Sequence, residues 1–186
     1  MLLIGVCGSA AKSHRTRALI EAAMEGATDF RPSVETRMID LSEVQLDFCD
    51  ARPLEAYGTA TRDTLELVHR ADAFIFGTPM YRGTLTGSLK NLMDLIPKEY
   101  ISGKAAGLLA TGASDHHYLG LEIGMRTIMA FFQVHTVPGI LYGGRFEVKE
   151  GKISDPKLCA DAKKLGADTL LFAELMAGKA LGPSIF

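Results

Sequence analysis

The fold is decided by one stretch near the start of the chain, Leu2-Leu3-Ile4-Gly5-Val6-Cys7-Gly8-Ser9. Its first six residues form a run of strand length without polar alternation, which predicts a strand buried on both faces, as in a parallel sheet. A glycine- and serine-containing loop follows through Thr16, and after it come apolar residues at helical spacing: Ile20, Ala23, Met24 and Ala27. The stretch therefore predicts a strand, a loop and a helix in succession.

The same alternation continues along the chain. Further apolar runs occupy Ala73–Gly77, Ala105–Ala110 and Val134–Tyr142, and helical periods lie near residues 89–96, 121–132 and 158–175. This alternation predicts one doubly wound α/β domain over residues 1–186, with helices on both faces of a five-stranded parallel sheet in the order 2-1-3-4-5. Charged residues interrupt Val34–Leu41, and Pro138 cannot donate to a ladder, so the second and fifth strands are expected at the edges.

Composition narrows the function classes. The 186 residues carry a formal net charge of −2, so no strong field is expected to attract nucleic acid or an anionic membrane surface. No apolar run approaches the roughly 20 residues that a membrane span needs, and the first residues do not resemble a signal peptide. Three cysteines at irregular spacing favour neither a disulfide framework nor a zinc site. We expect a reduced, cytoplasmic protein.

The first strand-to-helix loop has the composition of a phosphate cradle. A helix start offers unpaired N–H groups and partial positive charge, and Gly8 permits a close backbone approach. The loop adds side chains that suit a phosphomonoester: Ser9, Lys12, Ser13, Arg15 and Thr16. The triphosphate loop motif and the three-glycine dinucleotide fingerprint are both absent. An alternative is that Ser13 only caps the helix.

Two further loops are expected at the same edge of the sheet, where ligands of open α/β folds bind. In the first, Pro79 and Gly83 shape a turn, and Met80 with Tyr81 offers an apolar wall for a flat ring, or merely an aromatic plug. In the second, Thr111, Gly112 and Ser114 approach the same ligand from its other side.

The chain offers no clear catalytic side chain. Asp115-His116-His117 suggests a metal at first sight, but adjacent histidines point in different directions and no metalloprotease-like spacing occurs, so no metal site is expected. A nucleophile elbow is absent, and Cys7 ends a buried strand, where a free cysteine behaves as a small hydrophobe.

Three motifs carry a family resemblance. They are Gly8-Ser9 with Arg15-Thr16, the block Thr78-Pro79-Met80-Tyr81 followed by Gly87-Ser88-Leu89-Lys90-Asn91-Leu92-Met93-Asp94, and Leu109-Ala110-Thr111-Gly112. With these motifs the chain resembles the NADPH-dependent FMN reductase family of flavodoxin-like proteins. Within that family it is similar to the flavin reductases that supply reduced FMN to two-component monooxygenases.

The resemblance implies an NAD(P)H:flavin oxidoreductase that binds FMN and takes its hydride from NADPH or NADH. The FMN phosphate is then held by Ser9, Arg15 and Thr16, together with Ser13 of the same loop. The isoalloxazine ring is bordered by Pro79, Met80, Tyr81, Arg82 and Gly83, and closed on the other side by Thr111 and Gly112. The resemblance also implies a homodimer or homotetramer and a monooxygenase partner.

Three alternatives stay open on the sequence. The same site suits an FMN-containing reductase of quinones or azo compounds. A flavodoxin-type electron carrier without NAD(P)H activity is less compatible with the small net charge of −2. A phosphoacceptor signalling module requires acidic residues at the end of the first strand, where this chain has Cys7-Gly8-Ser9.

Overall fold

The central feature of the computed structural model is a parallel sheet. The structure describes residues 1–12, 14–114, 118–177 and Lys179. The strands are β1 (Leu2–Cys7), β2 (Glu35–Asp40), β3 (Ala73–Pro79), β4 (Ala105–Thr111), β5 (His135–Thr136) and β6 (Leu141–Gly143). Their order is β2-β1-β3-β4-β5, with β6 also on β4, and every pairing is parallel. The predicted order and the edge position of the second strand are confirmed.

The fifth position of the sheet is shared by two short strands. β5 pairs with the beginning of β4, while β6 pairs with its end. Between them lie Pro138, which has no N–H to donate, and Gly139, whose φ is +78°. The apolar run Val134–Tyr142 therefore does form the predicted edge, but as two segments instead of one strand.

Helices cover both faces of the sheet, as predicted. They are α1 (His14–Phe30), α2 (Thr59–Arg70), α3 (Gly87–Leu95), α4 (Lys98–Ile101), α5 (Tyr118–Phe131) and α6 (Pro156–Met176). Alternate strand residues point to opposite faces. Leu3 and Ile75 accordingly pack with α1 and α6, whereas Ile4 and Phe74 pack with the other four helices. Among the described helices, none is long and apolar enough to cross a membrane.

Besides the one-turn helices at Leu54–Ala56 and α4, two elements have no counterpart in the sequence prediction. The buried face of α2 consists of Thr61, Thr64, Leu65 and Val68. This spacing is helical, but threonines fill half of it, so the apolar pattern is weak. The second element is a hairpin of β7 (Val148–Lys149) and β8 (Lys152–Ile153), which turns through Glu150 and Gly151 at φ 50° and 78°.

The two helices on one face, α1 and α6, cross with their backbones in contact. Gly26 lies against the backbone of Lys163, and Gly166 lies against the carbonyl of Ala23. A side chain at either glycine meets main-chain atoms, which cannot move without displacing a helix. This crossing keeps α1 close to the sheet and so sets where its N-terminus lies.

We predict that Gly166→Ala lowers the free energy of unfolding by about 1–3 kcal/mol, because the added methyl group overpacks a backbone contact. Gly87→Ala is the matched control, since a Cβ at Gly87 meets nothing within 4 Å. The control is expected to be neutral or stabilising by up to about 1 kcal/mol. Urea unfolding midpoints measure both variants, and equal midpoints contradict the proposed backbone contact.

Candidate functional site

The three loops predicted to meet do lie together at the carboxyl edge of the sheet. β1, β3 and β4 are neighbours, and the strand order reverses between β1 and β3, where open α/β sheets bind ligands. Backbone hydrogen bonds join the loops. The Gly8 N–H donates to the Gly77 carbonyl at 2.7 Å, and the Met80 N–H donates to the Thr111 carbonyl at 2.8 Å.

Gly8 lies where no larger residue fits. A Cβ at this position would stand 2.8 Å from the Leu89 Cβ and 2.9 Å from the Gly77 carbonyl oxygen. The Gly8 carbonyl accepts hydrogen bonds from the hydroxyls of Thr86 and Ser88. Thr86 also caps α3 by accepting the Leu89 N–H at 3.2 Å. The first loop is thus fixed to the start of α3, and the sequence prediction had assigned no role to Thr86.

Two predicted phosphate ligands have their hydroxyls engaged within the protein. Ser9 is fully buried and donates to the Ala11 carbonyl at 2.7 Å. Thr16 is also fully buried, and its hydroxyl shares a 2.8 Å hydrogen bond with that of Thr111. These contacts shape the loop from within and tie it to the end of β4. Ser13, the third predicted hydroxyl, lies outside the described residues.

Arg15 crosses from α1 to the other side of the site. Its guanidinium donates to the carbonyls of Gly144 at 3.1 Å and Gly112 at 3.5 Å. Its Cζ lies 5.9 Å from the centre of the Phe146 ring, at the outer limit for a cation–π contact. The structure therefore shows Arg15 joining two loops by backbone contacts, in addition to bringing positive charge to the site.

The donors needed for an anion are present at the start of α1. Within the described part of the chain, no acceptor is found for the backbone N–H groups of Ala10, Ala11 and Lys12. The N–H groups of His14 and Arg15, the first two residues of the 17-residue α1, add to them, because a helix start has no intrahelical acceptors. Lys12 and His14 are exposed beside them. This donor set fits the phosphate group of FMN.

The loop after β3 presents an exposed aromatic wall. Tyr81 and Thr84 exchange backbone hydrogen bonds of 2.9 and 3.2 Å, and the two residues between them have positive φ, Arg82 at 51° and Gly83 at 94°. This is the geometry of a type I′ turn. Tyr81 is 45% exposed and Met80 is half-buried next to it. Together with Pro79, Arg82 and Gly83, these are the residues predicted to border a flat ring.

The N-terminal half of α5 supports this turn from behind. A Cβ at Gly120 would lie 3.0 Å from the Gly83 carbonyl, and one at Gly124 would lie 3.0 Å from the Thr84 hydroxyl. The close packing keeps the Met80–Thr84 segment in place, so its backbone is held before any ligand arrives.

The loop after β4 forms the other side of the site. Thr111 and Gly112 are buried, and the Gly112 N–H donates to the Gly143 carbonyl at 3.1 Å. Tyr142 stands directly against Gly112 and donates its hydroxyl proton to the Ser114 carbonyl at 2.6 Å. Sequence reasoning missed Tyr142, because nothing local indicates that β6 reaches this loop.

Neither metal nor thiol chemistry finds support in the described part of the chain. No group of three or more metal-binding side chains occurs there, and Asp115, His116 and His117 lie outside it. Burial raises the pKa of the Cys7 thiol to about 11, so this group stays protonated at neutral pH.

A large hollow lies away from the three loops. It has a volume of about 630 Å³ and lies at the amino ends of the strands, where Asp72 and Lys104 are among the residues that line it. Burial lowers the pKa of Lys104, whose ammonium group donates to the His69 carbonyl at 2.7 Å. No loop from the carboxyl ends of the strands contributes to it, so the three-loop junction is the better candidate site.

Comparisons with known proteins agree with this geometry. The model of the family described as NADPH-dependent FMN reductase matches residues 1–147. An NAD(P)H-dependent FAD/FMN reductase from Geobacillus thermodenitrificans is 34% identical to this chain, and the match covers 85% of this chain and 85% of the length of that protein. The NADH-dependent FMN reductase SfnE from Pseudomonas putida is 29% identical over 85% of this chain and 84% of its own.

A solved structure shares the fold. The apo form of the NADH:FMN oxidoreductase EMOB has a TM-score of 0.73, with 22% identity over 96% of this chain and 91% of its own. The resemblance recognised in the sequence motifs is thereby confirmed. The chain belongs to the NADPH-dependent FMN reductase family, whose members are flavin oxidoreductases of flavodoxin-like fold.

Proposed function

We propose that this protein oxidises NADPH or NADH with FMN and releases reduced FMN to a partner monooxygenase. The observation that carries the proposal is the junction of three loops, where anion donors at the start of α1 share an edge of the sheet with the exposed Tyr81 turn. The monooxygenase partner rests on the sequence resemblance, as does the expectation of a cytoplasmic location.

FMN supplies the redox chemistry, because its ring accepts a hydride from the nicotinamide. The protein binds the FMN and orients its ring. The N–H groups of residues 10–12 and the start of α1 hold the phosphate, with Lys12 adding positive charge. Pro79, Met80 and Tyr81 support one edge of the ring, and Arg82 and Gly83 shape the turn that exposes them.

The site needs no side chain that exchanges a proton with the substrate. Hydride transfer leaves only binding and orientation to the protein, and the three loops supply both through backbone groups. Thr111 and Gly112 close the side opposite the turn.

We also propose that the protein is a homo-oligomer that associates through α5. This helix exposes Leu119 by 64%, Ile123 by 66% and Phe131 by 55%. Beside Phe131 runs a mostly apolar groove of about 530 Å³ between α3 and α5, which includes Met93 and Ile128. Large apolar side chains clustered on one face are typical of a surface that is covered by another subunit.

Turnover tests the main proposal. We expect purified protein to consume NADPH or NADH in air only when FMN is added, with a rate that saturates in FMN concentration. Absorbance at the nicotinamide band measures this consumption. Flavin that stays bound through purification and supports turnover without added FMN indicates a quinone- or azo-type reductase, and absence of consumption under both conditions contradicts the reductase activity.

Riboflavin tests the phosphate cradle without altering the protein. Riboflavin has the same ring as FMN but lacks the phosphate, so it loses the charge-assisted hydrogen bonds to the start of α1. We expect FMN to bind on the order of a hundredfold more tightly than riboflavin. Quenching of flavin fluorescence gives both dissociation constants, and equal values exclude the cradle.

A charged substitution on α5 tests whether this surface forms the subunit contact. Ile123→Glu places a carboxylate in the centre of the proposed subunit contact, and we expect sedimentation velocity to show a shift toward monomer. Glu66→Gln, an exposed change on α2, is the control and leaves the subunit number unchanged. An Ile123→Glu variant that sediments like the wild type contradicts the assignment of this surface.

A further inference from the structure

The backbone carbonyls of residues 111–114, at the end of β4 and the start of the loop after it, are all hydrogen-bonded. Four consecutive carbonyls each accept a hydrogen bond from a different part of the protein. The contacts are Met80 N–H to Thr111 O at 2.8 Å, Arg15 Nη1 to Gly112 O at 3.5 Å, Arg145 Nε to Ala113 O at 3.0 Å and Tyr142 Oη to Ser114 O at 2.6 Å. Three of these donors are side chains that come from outside the loop.

This arrangement determines where the loop's N–H groups point. In a trans peptide the carbonyl and the following N–H lie on opposite sides of the chain, and the protein has no cis peptide among the described residues. Holding the Gly112 carbonyl therefore turns the Ala113 N–H away from Arg15, and holding the Ala113 carbonyl turns the Ser114 N–H away from Arg145. Neither N–H donates to any described residue.

We propose that Tyr142 and Arg145 are positioning residues of the flavin site, which fix the Thr111–Ser114 loop with the N–H groups of Ala113 and Ser114 directed at a carbonyl oxygen of the flavin ring. The inference rests on the proposed function, since it assigns a part of the FMN site. Neither residue contacts the reacting atoms.

The packing around Tyr142 supports a positioning role. Its hydroxyl occupies the space that a Cβ at Gly112 would need, so the two residues fit only as a pair. The ring lies edge-on to that of Tyr118, with 6.2 Å between ring centres, which limits its movement. The hydroxyl is thus held at one point, where it can fix the end of the loop.

The contacts of Arg145 point the same way. Five other arginines form ion pairs with carboxylates: Arg17, Arg31, Arg37, Arg52 and Arg126. Arg145 has no carboxylate partner among the described residues and bonds a loop carbonyl instead, although its side chain is exposed. Arg15, which bonds the same loop, likewise donates only to backbone carbonyls among the described residues. Both guanidiniums therefore act on the backbone of this loop.

The first experiment compares FMN dissociation constants of single variants. Tyr142→Phe and Arg145→Met each remove one hydrogen bond to the loop, and we expect each to weaken FMN binding by about two- to tenfold. Tyr100→Phe and Arg62→Met are matched controls beside α4 and are expected to bind FMN like the wild type. Urea unfolding without FMN is measured in parallel, and the variants are expected to unfold like their controls.

Two conservative variants distinguish the effect of the Arg145 hydrogen bond on FMN binding from the effect of the Arg145 charge. Arg145→Gln keeps an N–H donor without charge, and Arg145→Lys keeps both. If Arg145 positions the loop, both variants bind FMN more tightly than Arg145→Met. If Arg145→Gln is as weak as Arg145→Met while Arg145→Lys equals the wild type, Arg145 acts by its charge on the anion, and the positioning role is wrong.

A double variant tests the fit between Gly112 and Tyr142. Gly112→Ala alone forces the Tyr142 hydroxyl away and is expected to weaken FMN binding more than Tyr142→Phe does. In Gly112→Ala/Tyr142→Phe the obstructing oxygen is gone, so we expect tighter FMN binding than in Gly112→Ala. Additive losses contradict the pairing.

The outcomes distinguish the two proposals. Wild-type protein that binds no FMN overturns the proposed function and this inference with it. Wild-type protein that binds FMN while Tyr142→Phe and Arg145→Met bind it equally well overturns the positioning role alone.

Discussion

Gly8 connects the sheet to the candidate site through both of its backbone polar groups. Its N–H pairs with β3, and its carbonyl accepts the hydroxyls of Thr86 and Ser88 at the start of α3. Because a Cβ at Gly8 would collide with Leu89 and the Gly77 carbonyl, the approach of α3 to the first loop depends on this glycine. The position of the Tyr81 turn, which lies between β3 and α3, follows from the same contact.

The other side of the site is built from elements far apart in the sequence. The loop after β4 is held by donors from α1, from the turn after β3 and from the segment that follows β5. These donors fix the backbone and leave the N–H groups of Ala113 and Ser114 without an acceptor in the part of the chain that the structure describes. In a family whose chemistry belongs to the cofactor, the protein supplies binding and orientation, and a fixed backbone frame suits that task.

Sequence periodicity predicted those parts of the fold whose buried faces are apolar. The strands β1, β3 and β4 and the helices α1, α3, α5 and α6 lie where the apolar patterns placed them. The helix α2 was missed because Thr61 and Thr64 occupy half of its buried face. The sequence predicted an edge strand at Val134–Tyr142 but not its division into β5 and β6. Pro138 indicates that one backbone donor is missing, but it does not indicate that the two segments pair separately with β4.

The doubly wound fold, the three loops of the candidate site and the family could be predicted from the sequence, because apolar runs, helical periods and loop motifs are local patterns that can be recognised without knowledge of tertiary contacts. The contacts of the side chains in those loops could not be predicted in this way. Ser9 and Thr16 were predicted to face a phosphate, and the structure shows their hydroxyls engaged inside the protein. Arg15 reaches the Gly144 carbonyl, and Tyr142 reaches that of Ser114, from sequence separations of 129 and 28 residues. Such hydrogen bonds depend on the packing of whole elements, and no residue spacing in the chain encodes them.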